Sequence, residues 1–161
     1  MSDSGFLRLV EKHATARAAL HAGHGSSRPL SGGYERVGMA GEFAFGRFCG
    51  QMPDLSERPS GDKGVDFVVP LLYTVDVKTA RKANNLIHEA SKPLLADIYV
   101  LAEYNDDDEE ATLVGWAWGS QLSAAPKKDF GHGIENRYIA RANLRSMGHL
   151  GERIWKPQRS C

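Results

Sequence analysis

Two stretches of alternating residues, Val65–Val69 (VDFVV) and Tyr73–Thr79 (YTVDVKT), stand three residues apart in this chain. With Pro70-Leu71-Leu72 between them, that spacing predicts an antiparallel hairpin. Side chains alternate across a strand, so Val65, Phe67 and Val69 share one face and leave Asp66 on the other. On the second strand Val75 and Val77 share a face and leave Asp76 and Lys78 opposite. The pairing therefore lets Asp66, Asp76 and Lys78 converge. Any fold the chain adopts has to accommodate three ionisable side chains on one face of a hairpin whose other face is apolar.

The rest of the chain can be read around that hairpin. At 161 residues it suffices for one domain with one core. Ser4–Leu20 carries Phe6, Leu7, Val10, Ala14 and Ala18 at helical spacings, and His21–Gly33 (HAGHGSSRPLSGG) is a flexible connection dense in Gly, Ser and Pro. Residues 1–33 thus read as an appended helix and linker, and 34–161 as the main domain. YERVGMAGEFAFGRFCG predicts a second helix with Val37, Ala40, Ala44, Phe45 and Phe48 on one face and Gly50 near its end. Gly38, Gly41 and Gly46 on that helix suggest close packing against a sheet. After the hairpin, Asn85–Glu89, Ala96–Tyr104 and Ala111–Gly119 read as strands, the second of them central because its apolar run is nearly continuous. Asn136–Ala140 reads as a last short strand and RANLRSMGHL as a short helix. The expected fold class is α/β, a mixed central sheet flanked by helices.

Composition describes a globular protein, with 42% apolar and 25% charged residues. No apolar run approaches the ~20 residues that span a bilayer, and no signal-peptide pattern follows Met1, so the expectation is a cytoplasmic protein without a membrane partner. Cys49 and Cys161 fit no zinc spacing and read as free thiols. The formal net charge of zero averages unlike segments. Residues 103–110 (EYNDDDEE) hold six carboxylates, which leaves 20 basic against 14 acidic side chains elsewhere. From Gln121 onward there are eight Lys/Arg against three acids, a candidate phosphate-facing surface. Solvated surface positions explain the same charges. The acidic run lacks the D-x-D-x-D-G order of a calcium loop and reads as a solvated turn.

Carboxylates gathered in a partly buried cleft repel one another and need a compensating cation, and hard oxygen ligands at this density suit Mg²⁺ or Mn²⁺. The Val77 carbonyl offers a further ligand. Lys78 has the compact charge needed to orient an attacking water or to neutralise a pentacovalent phosphate. The plainer alternative is an Asp–Lys surface pair. Glu42 lies on the polar edge of the second helix, whose apolar face has to pack beside the sheet, so its carboxylate can reach the strand ends.

The order Glu42, Asp66, Asp76-Val77-Lys78 resembles the PD-(D/E)xK nuclease superfamily. Val65 stands where the name has proline. The stretch from Gly41 to Leu150 also looks like small phage-type nucleases and, more remotely, Holliday-junction resolvases. The resemblance implies a restriction-endonuclease-like core and metal-dependent endonucleolytic hydrolysis of DNA in recombination, repair or processing. By position it implies Glu42, Asp66, Asp76 and the Val77 carbonyl as metal ligands, with Glu42, Asp66, Asp76 and Lys78 catalytic. A non-catalytic DNA-binding or assembly protein that retains the fold, and an RNA-directed nuclease, are the competing readings; a homodimer is compatible with all three.

Lys63, before the first hairpin strand, and Arg81 and Lys82, after the second, are positioned to touch phosphates, as are Lys127, Lys128 and Arg145 in the basic C-terminal third. Pro53-Asp54 is a literal Pro-Asp pair and an alternative partner for Asp76. Asp66 is preferred because a strand fixes its position, whereas Asp54 falls in a stretch rich in Pro and Gly. His13, His21 and His24 lack the ligands to complete a zinc site. His132 sits in a glycine-flanked loop. Trp116 and Trp118 read as packing residues.

Overall fold

The computed structural model describes residues 33–54 and 64–155. The predicted N-terminal helix, its linker and Lys63 lie outside the described residues. Helix α1 spans Tyr34–Cys49 and buries Val37, Ala40, Ala44 and Phe45, with Phe48 packed at the core margin. It stops at Gly50, whose left-handed backbone (φ 70°) lets its N–H return to the Gly46 carbonyl.

Strands β1 (Phe67–Val69) and β2 (Tyr73–Ala80) form the expected antiparallel hairpin, with Phe67 opposite Val75 and Val69 opposite Tyr73. Its three-residue turn holds Leu71 and Leu72 at positive φ, 68° and 62°. Strand β4 (Ile98–Asn105) runs parallel to β2, and β5 (Glu110–Trp118) runs antiparallel to β4. The result is a mixed four-stranded sheet in the order β1-β2-β4-β5. As its apolar run requires, β4 is internal.

A second, antiparallel sheet has the order β3-β7-β6, built from Asn85–Glu89, Glu135–Ala140 and Lys127–Asp129. Two short helices complete the elements: α2 (Gly119–Ser123) after β5, and α3 (Met147–Trp155) at the end of the described chain. The predicted helix over RANLRSMGHL is displaced. Arg141–Asn143 is a single 3-10 turn, and the α-helix starts at Met147, where Leu150 and Ile154 fall on one buried stripe.

Alternation in the four-stranded sheet divides the interior in two. On one face Phe67, Val69, Val75, Val77, Ile98, Val100 and Trp116 pack against Phe45 of α1 and Leu150 and Ile154 of α3. On the other, Tyr99, Leu101 and Ala117 pack against Leu86 of β3 and Leu122 of α2, with Ile139 of β7 alongside. The molecule is thus mixed α/β, with helices on one face of a mixed sheet and a smaller sheet on the other. Val75 and Val77 face the helices, so Asp76 and Lys78 face the second sheet. No helix among the described residues is long and apolar enough to cross a membrane.

Candidate active site

Helix α1 approaches β2 closely at one point. A Cβ on Gly41 would overlap Thr79 Oγ1 and lie 3.0 Å from Thr79 Cβ. The absence of a side chain there sets the helix-to-strand distance, and the next residue, Glu42, is buried near enough for its charge to act on Asp66. Of the other two glycines on the helix, Gly46 packs on Pro53 and the Gln51 carbonyl, not on the sheet, and Gly38 faces open space.

Strand β1 begins at Phe67, so Asp66 does not lie within it as the alternation suggests. The Asp66 N–H donates to the Val75 carbonyl at 2.8 Å, and its Oδ2 accepts the Val77 N–H at 2.7 Å. A side chain thus supplies the rung that the backbone of residue 65 does not. This fixes the Asp66 carboxylate at the N–H of Val77, the residue between Asp76 and Lys78. In an antiparallel ladder a residue directs its N–H and C=O to the same neighbour, so the Val77 carbonyl also points to the Asp66 side of β2. Lys78 Nζ meets Asp76 Oδ1 at 2.7 Å.

The cluster is buried. Glu42 is 7% exposed and Asp76 3%, and burial disfavours the charged form of a carboxyl group. Burial, then the charges of Glu42 and Asp76, push the Asp66 carboxyl well above its ordinary value; the Val77 N–H and Lys78 oppose this only in part. Burial works against the Lys78 ammonium, yet Asp76, by charge and hydrogen bond, and Asp66 together hold its pKa above the ordinary value. Lys78 is therefore a cation at neutral pH.

Three carboxylates drawn from a helix, a strand end and a strand interior, with a main-chain carbonyl among them, are the oxygen donors that a hard divalent cation takes. Among the described residues, no three His, Cys, Asp or Glu side chains stand close enough together to hold an ion as they are. Asp66 is turned to the Val77 N–H and Asp76 to Lys78.

His88 on β3 gave no sequence signal beyond an alternating strand, yet it belongs to this neighbourhood. Its ring meets Tyr99 edge-on at 5.6 Å, and Nε2 lies 3.3 Å from the Lys92 carbonyl. Burial first, then the charge of Lys78, lowers its pKa, so the imidazole is neutral at physiological pH.

The expected phosphate contacts separate into groups. Arg81 Nε bonds both carboxylate oxygens of Asp106, at 3.0 and 2.8 Å, and its guanidinium lies over Tyr104. It holds the acidic turn. Arg145 bridges to Trp116 through the backbone on the open side of β5, with its guanidinium over the Trp116 ring. That is the sheet edge opposite β1, so Arg145 is apart from the carboxylates. Lys82 is exposed beyond β2, and Lys127 and Lys128 are exposed on β6. Asp54 is exposed past the end of α1, and His132 is exposed in the loop before β7. Trp116 is fully buried, in keeping with a packing role. No family model, curated protein or solved structure matches this chain.

Proposed function

We propose that the protein is a Mg²⁺- or Mn²⁺-dependent deoxyribonuclease of the PD-(D/E)xK type, with Glu42, Asp66, Asp76 and Lys78 as its working residues. The observation that carries this reading is the anchoring of the Asp66 carboxylate to the Val77 N–H, between Asp76 and Lys78, with Glu42 of α1 near enough for its charge to act on Asp66. The order of a helix followed by a mixed sheet, with the acidic cluster where β1 leaves β2, supports a restriction-endonuclease-like core.

Glu42, Asp66, Asp76 and the Val77 carbonyl would hold the metal. A bound divalent ion supplies Lewis-acid charge at the phosphoryl oxygens and a water of lowered pKa. Lys78 is held protonated by Asp76 and Asp66, so its role is electrostatic. It stabilises negative charge developing on the phosphate, or orients the water by donating to it, and does not abstract a proton. Asp76, 3% exposed and level with Tyr99 on β4, is where bulk water screens that charge least.

The competing reading is a DNA-binding protein without turnover, and it draws on one observation: Asp76 is already neutralised by Lys78 at 2.7 Å. An EDTA-controlled cleavage assay on linear, circular, single-stranded and branched DNA, with an RNA duplex alongside, separates the two. Cleavage that appears with Mg²⁺ or Mn²⁺ and vanishes in EDTA is the expected result. DNA binding without any metal-dependent cut favours the competitor.

A further inference from the structure

The cross-strand register of the second sheet aligns side chains that are distant in sequence. His88 lies directly opposite Arg137 on β7, and Arg137 directly opposite Lys127 on β6. Residues paired across an antiparallel ladder project to the same face, with Cβ atoms about 5 Å apart. His88, Arg137 and Lys127 therefore form a row across all three strands. The same face carries Leu86 and Ile139, which pack toward the four-stranded sheet, and His88 itself reaches Tyr99 and the field of Lys78 and Asp76. The row starts at the carboxylate cluster and ends at the exposed edge strand.

Along this row Arg137 is half-buried and Lys127 exposed. Arg137 Nη1 donates to the Ser123 carbonyl at 2.7 Å, which fixes the direction of a group with five N–H donors. Lys127 Nζ lies 3.3 Å from Glu135, and both side chains are exposed; such a surface pair is worth little and is readily exchanged for a phosphate. Strands about 4.8 Å apart give successive long cationic side chains a spacing that reaches neighbouring phosphates of one nucleic-acid strand.

We propose that the substrate strand leaves the Asp76–Lys78 centre across the second sheet, over His88, with its phosphates held by Arg137 and Lys127. The inference rests on the nuclease reading for its starting point but concerns binding, and its test is a binding measurement. The affinity of the protein for a short labelled DNA duplex in Ca²⁺ is followed by fluorescence anisotropy across a salt series, for the parent, Arg137→Gln, Lys127→Gln, the double variant and Arg47→Gln. Each lost phosphate contact lowers the slope of log affinity against log salt by about 0.9. Between ~50 and ~200 mM salt the parent should then lose about 12-fold more affinity than the double variant. Arg137→Lys, which keeps the charge but not the guanidinium bond to Ser123, should retain the parental slope, and Arg47→Gln, on the helix side, should leave it unchanged. Equal slopes for parent and double variant, or a parent that does not bind DNA, overturn the proposal. A parent that binds with the expected slopes but cuts no substrate in Mg²⁺ leaves this path standing and removes the nuclease reading instead.

Discussion

Burial and the charges of Glu42 and Asp76 push the Asp66 carboxyl well above 3.8, the ordinary value, so this residue makes the metal-free protein sensitive to pH. An acid whose native pKa is raised contributes stability that is fully present below its unfolded value and is lost as pH rises through the native one. Asp66→Asn removes that dependence while keeping the shape. In EDTA, the melting temperature of the parent should fall relative to Asp66→Asn as pH rises from the ordinary carboxylate range through the raised value. Parallel curves would show that Asp66 is not under this strain. Lys78→Gln leaves Asp76 buried without its 2.7 Å partner, and the loss of one preorganised charge should lower single-turnover cleavage by on the order of 10²-fold. A rate within a few-fold of the parent would relieve Lys78 of its role. Asp76 and Lys78 were legible as a pair because period-two alternation puts them on one face. His88 was not legible, because it joins them only through the stacking of two sheets, and NLIHE by itself reads as any half-buried strand.

Helix α1 is held to β2 at Gly41, and the contact gives a prediction with an internal control. Gly41→Ala forces a methyl group into Thr79 and should destabilise the protein by ~1–3 kcal/mol, the usual range for overpacking. Gly38→Ala, on the same helix with nothing within 4 Å, should stabilise it by up to about 1 kcal/mol through helix propensity alone. Denaturant melts of the two variants check this, and shifts of the same sign would contradict the packing argument. The glycines suggested close packing in the sequence, but which one makes the contact depends on where the helix crosses the strand. Helix α1 itself, with Gly50 beyond its end, could be read from its apolar spacing. The start of β1 could not, since alternation continues through Val65 and Asp66 while a carboxylate replaces the backbone rung. Strand β6 is Lys-Lys-Asp, with no apolar residue to mark it; only its pairing with β7 makes it a strand.

Across the whole molecule, the zero net charge resolves into local pairings. The acidic turn after β4 is bound by Arg36 to Glu109 and by Arg81 to Asp106, with Arg47 3.9 Å from Glu110, and Arg141 meets Glu103 at 2.8 Å. The run that reads as a solvated turn is therefore tied to α1 and to the end of β2. This leaves the exposed lysines of β6 on the other side of the central sheet from α1, a segregation that composition alone conceals. The central claim is that Asp66, Asp76, Lys78 and Glu42 form one metal-dependent centre, and the most direct measurement compares Asp66→Asn with Asp54→Asn in the same Mg²⁺-dependent cleavage assay, with thermal melts to verify folding. Asp66→Asn should lower turnover by on the order of 10²-fold or more, because it removes a charge fixed at Val77, and Asp54→Asn should stay within a few-fold of the parent. If Asp54→Asn is inactive while Asp66→Asn cuts DNA at the parental rate, the centre is not the one described.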